Sequence, residues 1–251
     1  MNATIAAQMF AADLLKLRKK RSTMIWALIL AFGPLLIVFV ANALEPSSPD
    51  FIDLVRALCL LFGPLAAILI GVEAGTSDAS AGVFRDLVVT GRSRLALFAS
   101  RVPAAVAACW VVIVGAYALL VLGSFVLARG EPTPDAALIL KGLGFALLAN
   151  GMICAVAVGF ASLTNSKPGA ITALIAWHIV ASPVIANIES LGSAREGVLS
   201  QAIAHFSPVR LGDGAHGATV TMSLGTAVAV LIVWLVVFLA LGAWRTCTID
   251  A

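Results

Sequence analysis

The chain has 251 residues, of which 61% are hydrophobic and 12% are charged, and its formal net charge is +3. Soluble domains are about 45–50% apolar and about 25% charged, so a soluble fold of this length has too little interior for so much apolar surface. The composition therefore excludes a soluble globular enzyme and indicates an integral membrane protein. The basic residues are scattered between apolar segments, which argues against a nucleic-acid partner.

Six apolar stretches are long enough to cross the hydrocarbon core, which needs about 20 residues of α-helix. They are residues 24–44, 57–74, 102–128, 137–163, 169–188 and 219–243. None shows the alternating pattern of a membrane β-barrel strand. Because lipid offers backbone groups no hydrogen-bond partner, all six are predicted to be helices. The predicted fold class is thus an all-α, polytopic membrane protein with a single transmembrane domain over residues 1–251.

Residues 1–23 are predicted to form a cytoplasmic amphipathic helix that lies in the membrane interface. Its apolar residues recur at helical spacing, at Ile5, Met9, Leu14 and Leu17. A basic cluster follows them, and we expect its side chains to face lipid headgroups. The alternative is a disordered tail that acts only as a topology signal. The first span also resembles a secretory signal with a cleavage site at Ala41–Ala43, but its apolar core exceeds about 7–15 residues, which favours an uncleaved anchor.

Lysine and arginine positions set the predicted orientation. Most of them lie before the first span and in the second-to-third loop, and Lys167 and Arg245 fall on that same side. Positively charged loops stay in the cytoplasm, so both termini are predicted to be cytoplasmic. The abundance of alanine and glycine indicates a bacterial source. The predicted location is therefore a bacterial cytoplasmic membrane, crossed several times by the chain.

The longest outer connection covers residues 189–218. Its apolar residues again recur at helical spacing, at Val198, Leu199, Ile203 and Phe206. Ser207–Pro208 ends this pattern, because proline does not continue a helix. A long connection with its own structure is often functional. We expect a short amphipathic helix there, resting against the outer face of the membrane.

The inner loop, residues 75–101, carries four arginines between two very apolar spans. One face of a short predicted helix is apolar, with Val83, Phe84, Leu87 and Val88. Arg85 and Asp86 point elsewhere, and Gly91 ends the helix. A cytoplasmic segment with an apolar edge and a charged edge is typical of a docking surface for another protein. The alternative is an ordinary positive loop lying on the bilayer.

This loop resembles that of permease subunits of ATP-binding-cassette exporters, in the type-2 class with six helices per subunit. That family shows an acidic residue, then G-T-x-R-x-L-L-x-x-P-x-S-R, then a lysine. The matching positions here are Glu73, Gly82, Arg85, Leu87, Ser93, Arg94 and Arg101. Val83, Gly91 and Arg101 replace the threonine, proline and lysine that are common in the family, and none of these departures removes a charge. The basic lead-in, six spans and long outer connection resemble the same class.

The resemblance implies that residues 75–101 form a coupling loop, whose helix sits in a groove of a cytoplasmic ATPase. Phe84 and Leu87 would anchor this helix, and the arginines would set its register. The implied coupling residues are Glu73, Gly82, Phe84, Arg85, Asp86, Leu87, Arg92, Ser93, Arg94 and Arg101. The resemblance also implies two ATPase copies that bind ATP and Mg, and a second permease subunit that is either another copy or a related chain. The cargo would be exported and amphipathic or lipid-like, such as a peptide antibiotic, a drug or a lipid.

The sequence contains no G-x-x-x-x-G-K-[ST] phosphate loop, no G-x-S-x-G elbow and no H-E-x-x-H zinc motif. We therefore expect a transport subunit without catalytic residues, cofactor or metal of its own, energised by an ATPase on another chain. The alternative is a free-standing six-span enzyme or scaffold that acts on lipids. That alternative predicts clustered polar residues within the spans, whereas the sequence shows isolated ones.

Three residues inside the spans are candidates for the substrate path or for a hinge. Pro64 and Pro183 predict kinks in the second and fifth spans, with simple helix curvature as the alternative. His178 is an ionisable residue within a span, which makes it a functional candidate by default. The alternative for His178 is an ordinary packing or hydrogen-bonding role. In the family, spans two and five border the dimer interface and the substrate path.

Overall fold

The computed structural model describes residues 3–44, 51–80, 93–127, 133–207 and 220–248. Six helices in these ranges are long and apolar enough to cross a membrane, which confirms the predicted all-α class with six candidate spans. Each of the six is called a span below. The single helices are the amino-terminal helix (Ala3–Lys19), span 1 (Arg21–Leu44), span 3 (Arg94–Val126), span 4 (Ala136–Thr164) and span 6 (Leu224–Thr248).

Spans 2 and 5 are each interrupted by one turn of π-helix. Span 2 consists of α-helix Phe51–Ala57, π-helix Leu58–Phe62 and α-helix Gly63–Ser80. Span 5 consists of α-helix Lys167–Ala176, π-helix Trp177–Ala181 and α-helix Ser182–Asn187. A π-helical turn is rare and occurs mostly as a local bulge inside an α-helix, frequently at functional sites. The sequence analysis predicted kinks near these points but not the change of helix type.

The inner loop is shorter than predicted, because helix continues into it from both sides. Span 2 runs on to Ser80, and span 3 begins at Arg94 rather than at residue 102. Ser93 caps span 3 by accepting a hydrogen bond from the backbone N–H of Ala96, 3.2 Å away. With 33 residues, span 3 is about 50 Å long, more than the hydrocarbon core of about 30 Å. Its first turns can therefore extend beyond the membrane core.

Spans 2 and 4 form the centre of the bundle. In their most apolar stretches 65% and 67% of the residues are buried, against 17%, 17% and 11% in spans 1, 5 and 6. Gly71 and Gly75 allow the close approach, because a Cβ atom at either position would lie within 2.7 Å of a span 4 carbonyl oxygen. Small residues are what lets membrane helices pack backbone to backbone. Spans 1, 5 and 6 remain available to lipid or to another subunit.

The short outer helix predicted within residues 189–218 is present at Leu199–Ala204, after a 3₁₀ segment at Glu189–Gly197. Val198, Leu199 and Ile203 are buried, as the apolar spacing predicted. Gln201 at this helix accepts a hydrogen bond from the backbone N–H of Val220, which leads into span 6. The apolar face of the outer helix is therefore packed against the bundle.

We expect Gly75→Ala to destabilise the protein, because the new methyl group would lie 2.7 Å from the Val158 carbonyl oxygen and 2.8 Å from the Ala161 Cβ. Overpacking of this kind costs about 1–3 kcal/mol. Gly144→Ala is the matched control, since a Cβ there meets no atom within 4 Å. Thermal unfolding in detergent should show a lower midpoint for Gly75→Ala and an equal or higher one for Gly144→Ala. Equal midpoints for the two variants would contradict the close packing of spans 2 and 4.

Candidate functional site

Charged side chains from four helices, and from Lys20 between the first two helices, gather at one end of the bundle, and we call this set the charge network. Its carboxylates are Asp13, Glu73 and Asp78, and its cations are Lys16, Lys20, Arg101 and Lys167. Thr23 and Ser100 add hydroxyl donors. These residues come from the amino-terminal helix and its end, and from spans 1, 2, 3 and 5. The network thus joins helices that are distant in sequence.

One half of the network is centred on Asp78, near the end of span 2. Its carboxylate lies 2.6 Å from the Arg101 guanidinium of span 3 and 3.1 Å from the Lys16 ammonium of the amino-terminal helix. Lys16 also contacts Asp13, whose other carboxylate oxygen accepts a 2.6 Å hydrogen bond from the Ser100 hydroxyl. Asp78 and Arg101 are only 3% and 5% exposed. This half holds span 2, span 3 and the amino-terminal helix together.

The other half is centred on Glu73, which is 2% exposed. The Glu73 carboxylate lies 2.5 Å from the Lys167 ammonium at the start of span 5 and 3.6 Å from that of Lys20. It also accepts a 2.8 Å hydrogen bond from the Thr23 hydroxyl of span 1. Glu73 therefore connects spans 1 and 5 to span 2, one helical turn before Asp78.

Burial makes these ion pairs costly to break. Separating a charge from water carries a penalty of several kcal/mol, which the partner charge and its hydrogen bonds offset only when the geometry is good. Three carboxylates face four cations here, so the network is close to neutral. Lys16, Lys20 and Lys167 remain 40–50% exposed in their side chains, which places the network at the surface of the bundle. Glu73 and Asp78 are buried in its centre, whereas its lysines reach outward.

Of the ten predicted coupling residues, four lie within the residues that the structure describes. Glu73 and Arg101 are both in the network, although each binds different partners there. Ser93 caps span 3, and Arg94 donates a 3.0 Å hydrogen bond to the Cys247 carbonyl oxygen near the end of span 6. The remaining predicted coupling residues lie outside the described residues: Gly82, Phe84, Arg85, Asp86, Leu87 and Arg92.

Two lysines of the basic cluster, Lys16 and Lys20, bind buried carboxylates, and the sequence analysis did not predict these contacts. Arg18 and Lys19 are exposed. These pairings have an electrostatic cause, because Glu73 and Asp78 are buried, and Lys16 and Lys20 add to the positive charge that Arg101 and Lys167 supply at shorter distance. Met9 and Leu17, buried on the same helix, dock its apolar face on the bundle.

Sequence reasoning missed Asp78 and Asp13. A signal was available, since an acid five residues after Glu73 and an arginine at the start of the next span are both unexpected in apolar helices. Which cation pairs with which acid depends on helix packing and cannot be read from spacing.

A second cluster contains the other predicted candidates, which lie away from the charge network. His178 Nε2 lies 2.9 Å from the Leu60 carbonyl oxygen of span 2. Pro64 is four residues after Leu60, and because proline has no N–H, the Leu60 carbonyl lacks its usual α-helical donor. A carbonyl can only accept, so His178 donates from Nε2. The structure thus brings Pro64 and His178 to one place, which their sequence positions did not indicate.

A small cavity lies beside His178, between spans 2, 4, 5 and 6 and the outer helix. Its polar lining consists of His178, Ser182 and Ser200, and the two serine hydroxyls are 2.5 Å apart. The indoles of Trp177 and Trp234 form part of its wall, with ring centroids 5.5 Å apart. Pro183 follows Ser182 directly in the chain and is exposed. Polar groups of two elements therefore meet inside an otherwise apolar region.

Neither cluster has the composition of a metal site. Within the residues that the structure describes, no group of three or more His, Cys, Asp or Glu side chains is arranged to hold a metal ion. The carboxylates of the charge network are separated by the lysines and the arginine that neutralise them. The network is suited to holding helices together.

We expect Asp78→Asn to lower stability by about 3–5 kcal/mol, because it removes the carboxylate that lies 2.6 Å from the buried Arg101 guanidinium. The double variant Asp78→Asn/Arg101→Gln should lose less than the sum of the two single variants, since the pair acts as a unit. Lys141→Gln, at an exposed position in span 4, is the control and should be neutral. Chemical unfolding in detergent micelles measures these differences. Additive losses would show that Asp78 and Arg101 do not interact.

The chain was also compared with known proteins. No protein-family model, no curated protein and no solved structure matches it. The resemblance to exporter permeases therefore stays a prediction that rests on the residues quoted for it.

Proposed function

We propose that the chain is the membrane-spanning permease subunit of an ATP-driven transporter, of the type-2 ATP-binding-cassette exporter class. In this proposal a separate ATPase docks on the loop between spans 2 and 3 and drives export of an amphipathic or lipid-like cargo. The single observation that supports it best is the buried Asp78–Arg101 ion pair. These two residues are 23 positions apart and bracket the loop on which the partner would act.

The ion pair suits mechanical coupling because it joins the end of span 2 to the start of span 3, on the two sides of the loop. A displacement of the loop would move the end of span 2 and the start of span 3 as one body, since separating buried opposite charges is costly. Lys16 extends the same connection to the amino-terminal helix, and Glu73 extends it to spans 1 and 5. Energetic coupling between distant sites travels through such contiguous networks and rigid helices.

The exposure pattern of the spans suits a subunit that works with lipid and with a second permease. Spans 1, 5 and 6 leave most of their apolar surface uncovered within one chain. Exposed apolar patches of this size mark membrane or protein contacts. In this proposal a second permease subunit, identical or related, covers part of that surface, and the path for an apolar cargo lies between the two.

The proposed orientation puts the charge network and both termini in the cytoplasm. Cys247 provides a test, because it is exposed while Cys59, Cys109 and Cys154 are buried. Arg94 links the Cys247 backbone to the network end of the bundle. A membrane-impermeant maleimide should label Cys247 in inside-out vesicles and leave right-side-out vesicles unlabelled. Cys247→Ser is the control for specificity, and labelling only from the outside would reverse the orientation.

Co-purification tests the proposed energy source. The tagged chain, purified from its source membrane into nanodiscs, is expected to carry a vanadate-sensitive ATPase. Phe84→Ala combined with Arg94→Glu should reduce the co-purified ATPase about tenfold, because apolar anchors and register-setting charges dominate such interfaces. Lys141→Gln should leave it unchanged.

Two outcomes would count against the proposal. One is that no ATPase co-purifies, and the other is that the Phe84/Arg94 variant retains as much ATPase as the unmodified chain. Turnover of lipid by the purified chain alone would favour a free-standing membrane enzyme.

A further inference from the structure

The same local arrangement occurs in spans 2 and 5. In span 2 the π-helical turn Leu58–Phe62 is followed by Gly63 and then Pro64. In span 5 the π-helical turn Trp177–Ala181 is followed by Ser182 and then Pro183. A π-helical turn, then a small residue, then proline gives a point where the backbone hydrogen-bond ladder is irregular. Each span therefore contains a local weak point of the kind that serves as a hinge.

The two weak points are bonded to each other. Pro64 leaves the Leu60 carbonyl without an N–H donor four residues later, and His178 of the other π-helical turn supplies a donor at 2.9 Å. An unpaired carbonyl inside a membrane bundle is costly, so this side-chain donor replaces the missing backbone one. His178 in the π-helical turn of span 5 thus supplies a hydrogen-bond donor to the Leu60 carbonyl in the π-helical turn of span 2.

We propose that Leu58–Pro64 and Trp177–Pro183 form a pair of hinges coupled by the His178–Leu60 hydrogen bond. Bending at either hinge strains or breaks this bond and so leaves the Leu60 carbonyl without the His178 donor. Spans 2 and 5 therefore bend together. His178 acts as a positioning residue, through its Nε2–H, between the two spans.

The contacts around the hinge of span 5 indicate what its movement opens. Ser182 is 1% exposed and shares a 2.5 Å hydrogen bond with Ser200, which lies in the outer helix. Trp234 of span 6 donates a 3.0 Å hydrogen bond to the Gly197 carbonyl and so holds the segment before that helix. The cavity between these elements is lined by His178 and both serines. Bending of span 5 separates Ser182 from Ser200 and widens this cavity.

The part of span 2 after its hinge is packed closely against span 4. Gly71 and Gly75 lock it against span 4, with no room for an added methyl group. This coupled hinge stands on the helix geometry of one chain and does not require the proposed ATPase.

A double-mutant cycle on the purified full chain in lipid nanodiscs tests the coupling, with no ATPase present. Amide hydrogen exchange is measured for peptides that cover residues 58–64 and 177–183. His178→Phe removes the donor and should raise exchange in both segments about fivefold, the effect of one hydrogen bond. His178→Gln keeps an N–H donor and should raise it less.

The second substitution of the cycle is Pro64→Ala. Alanine has a backbone N–H, which proline lacks, and this N–H can donate a hydrogen bond to the Leu60 carbonyl in place of His178. With Pro64→Ala present, His178→Phe should no longer raise exchange in residues 58–64. Pro34→Ala, which removes a proline from span 1, is the matched control, and His178→Phe should keep its full effect there. Thermal unfolding of the same variants gives a second measure of the coupling.

The result for span 2 decides the inference. Loss of the His178→Phe effect in the Pro64→Ala background, with the effect retained in the Pro34→Ala background, supports coupled hinges. An equal effect of His178→Phe in both backgrounds, or exchange that rises only in residues 177–183, overturns them. Because the experiment uses the chain alone, its failure leaves the ATPase test unaffected, and a failed ATPase test leaves this one unaffected.

Discussion

A carboxylate buried among apolar helices must be neutralised by cations from other helices, and this requirement organises one end of the bundle. Glu73 and Asp78 lie one turn apart on the central span 2 and are almost completely buried. The cations that neutralise them come from the amino-terminal helix and its end, from span 3 and from span 5. Since uncompensated burial of a charge costs several kcal/mol, these helices cannot leave their positions independently. The electrostatic constraint is therefore also a mechanical one.

Close backbone packing makes that constraint effective. Gly71 and Gly75 flank Glu73 on span 2 and let span 4 approach its backbone, while Gly159 and Gly242 do the same between spans 4 and 6. Helices packed this tightly move as rigid bodies, because there is no free volume in which one can slide past the other. The central spans therefore form a frame, and the peripheral spans 1, 5 and 6 carry most of the surface that faces lipid or other subunits.

The two clusters differ in the type of polar group that must be satisfied. The charge network neutralises ionised side chains, whereas the second cluster satisfies a backbone carbonyl that Pro64 leaves without a donor. The first is strong and holds several helices, which suits the transmission of force. The second is a single hydrogen bond between two irregular helical turns, which suits a joint. A transporter needs both a rigid connection and a point of bending, and the proposed function assigns one cluster to each.

The sequence alone determined the all-α class, the six candidate spans and the short outer helix, because apolar length and helical spacing are local properties. It also singled out Pro64 and His178, since a proline or an ionisable residue inside an apolar span stands out without any structure, and it singled out Glu73 and Arg101 through their match to the motif of the family. It missed Asp13 and Asp78, and it did not predict that Lys16 and Lys20 bind carboxylates. Only the tertiary structure decided which cation neutralises which acid and that His178 meets the Leu60 carbonyl, because such pairings depend on how helices distant in sequence are placed against each other.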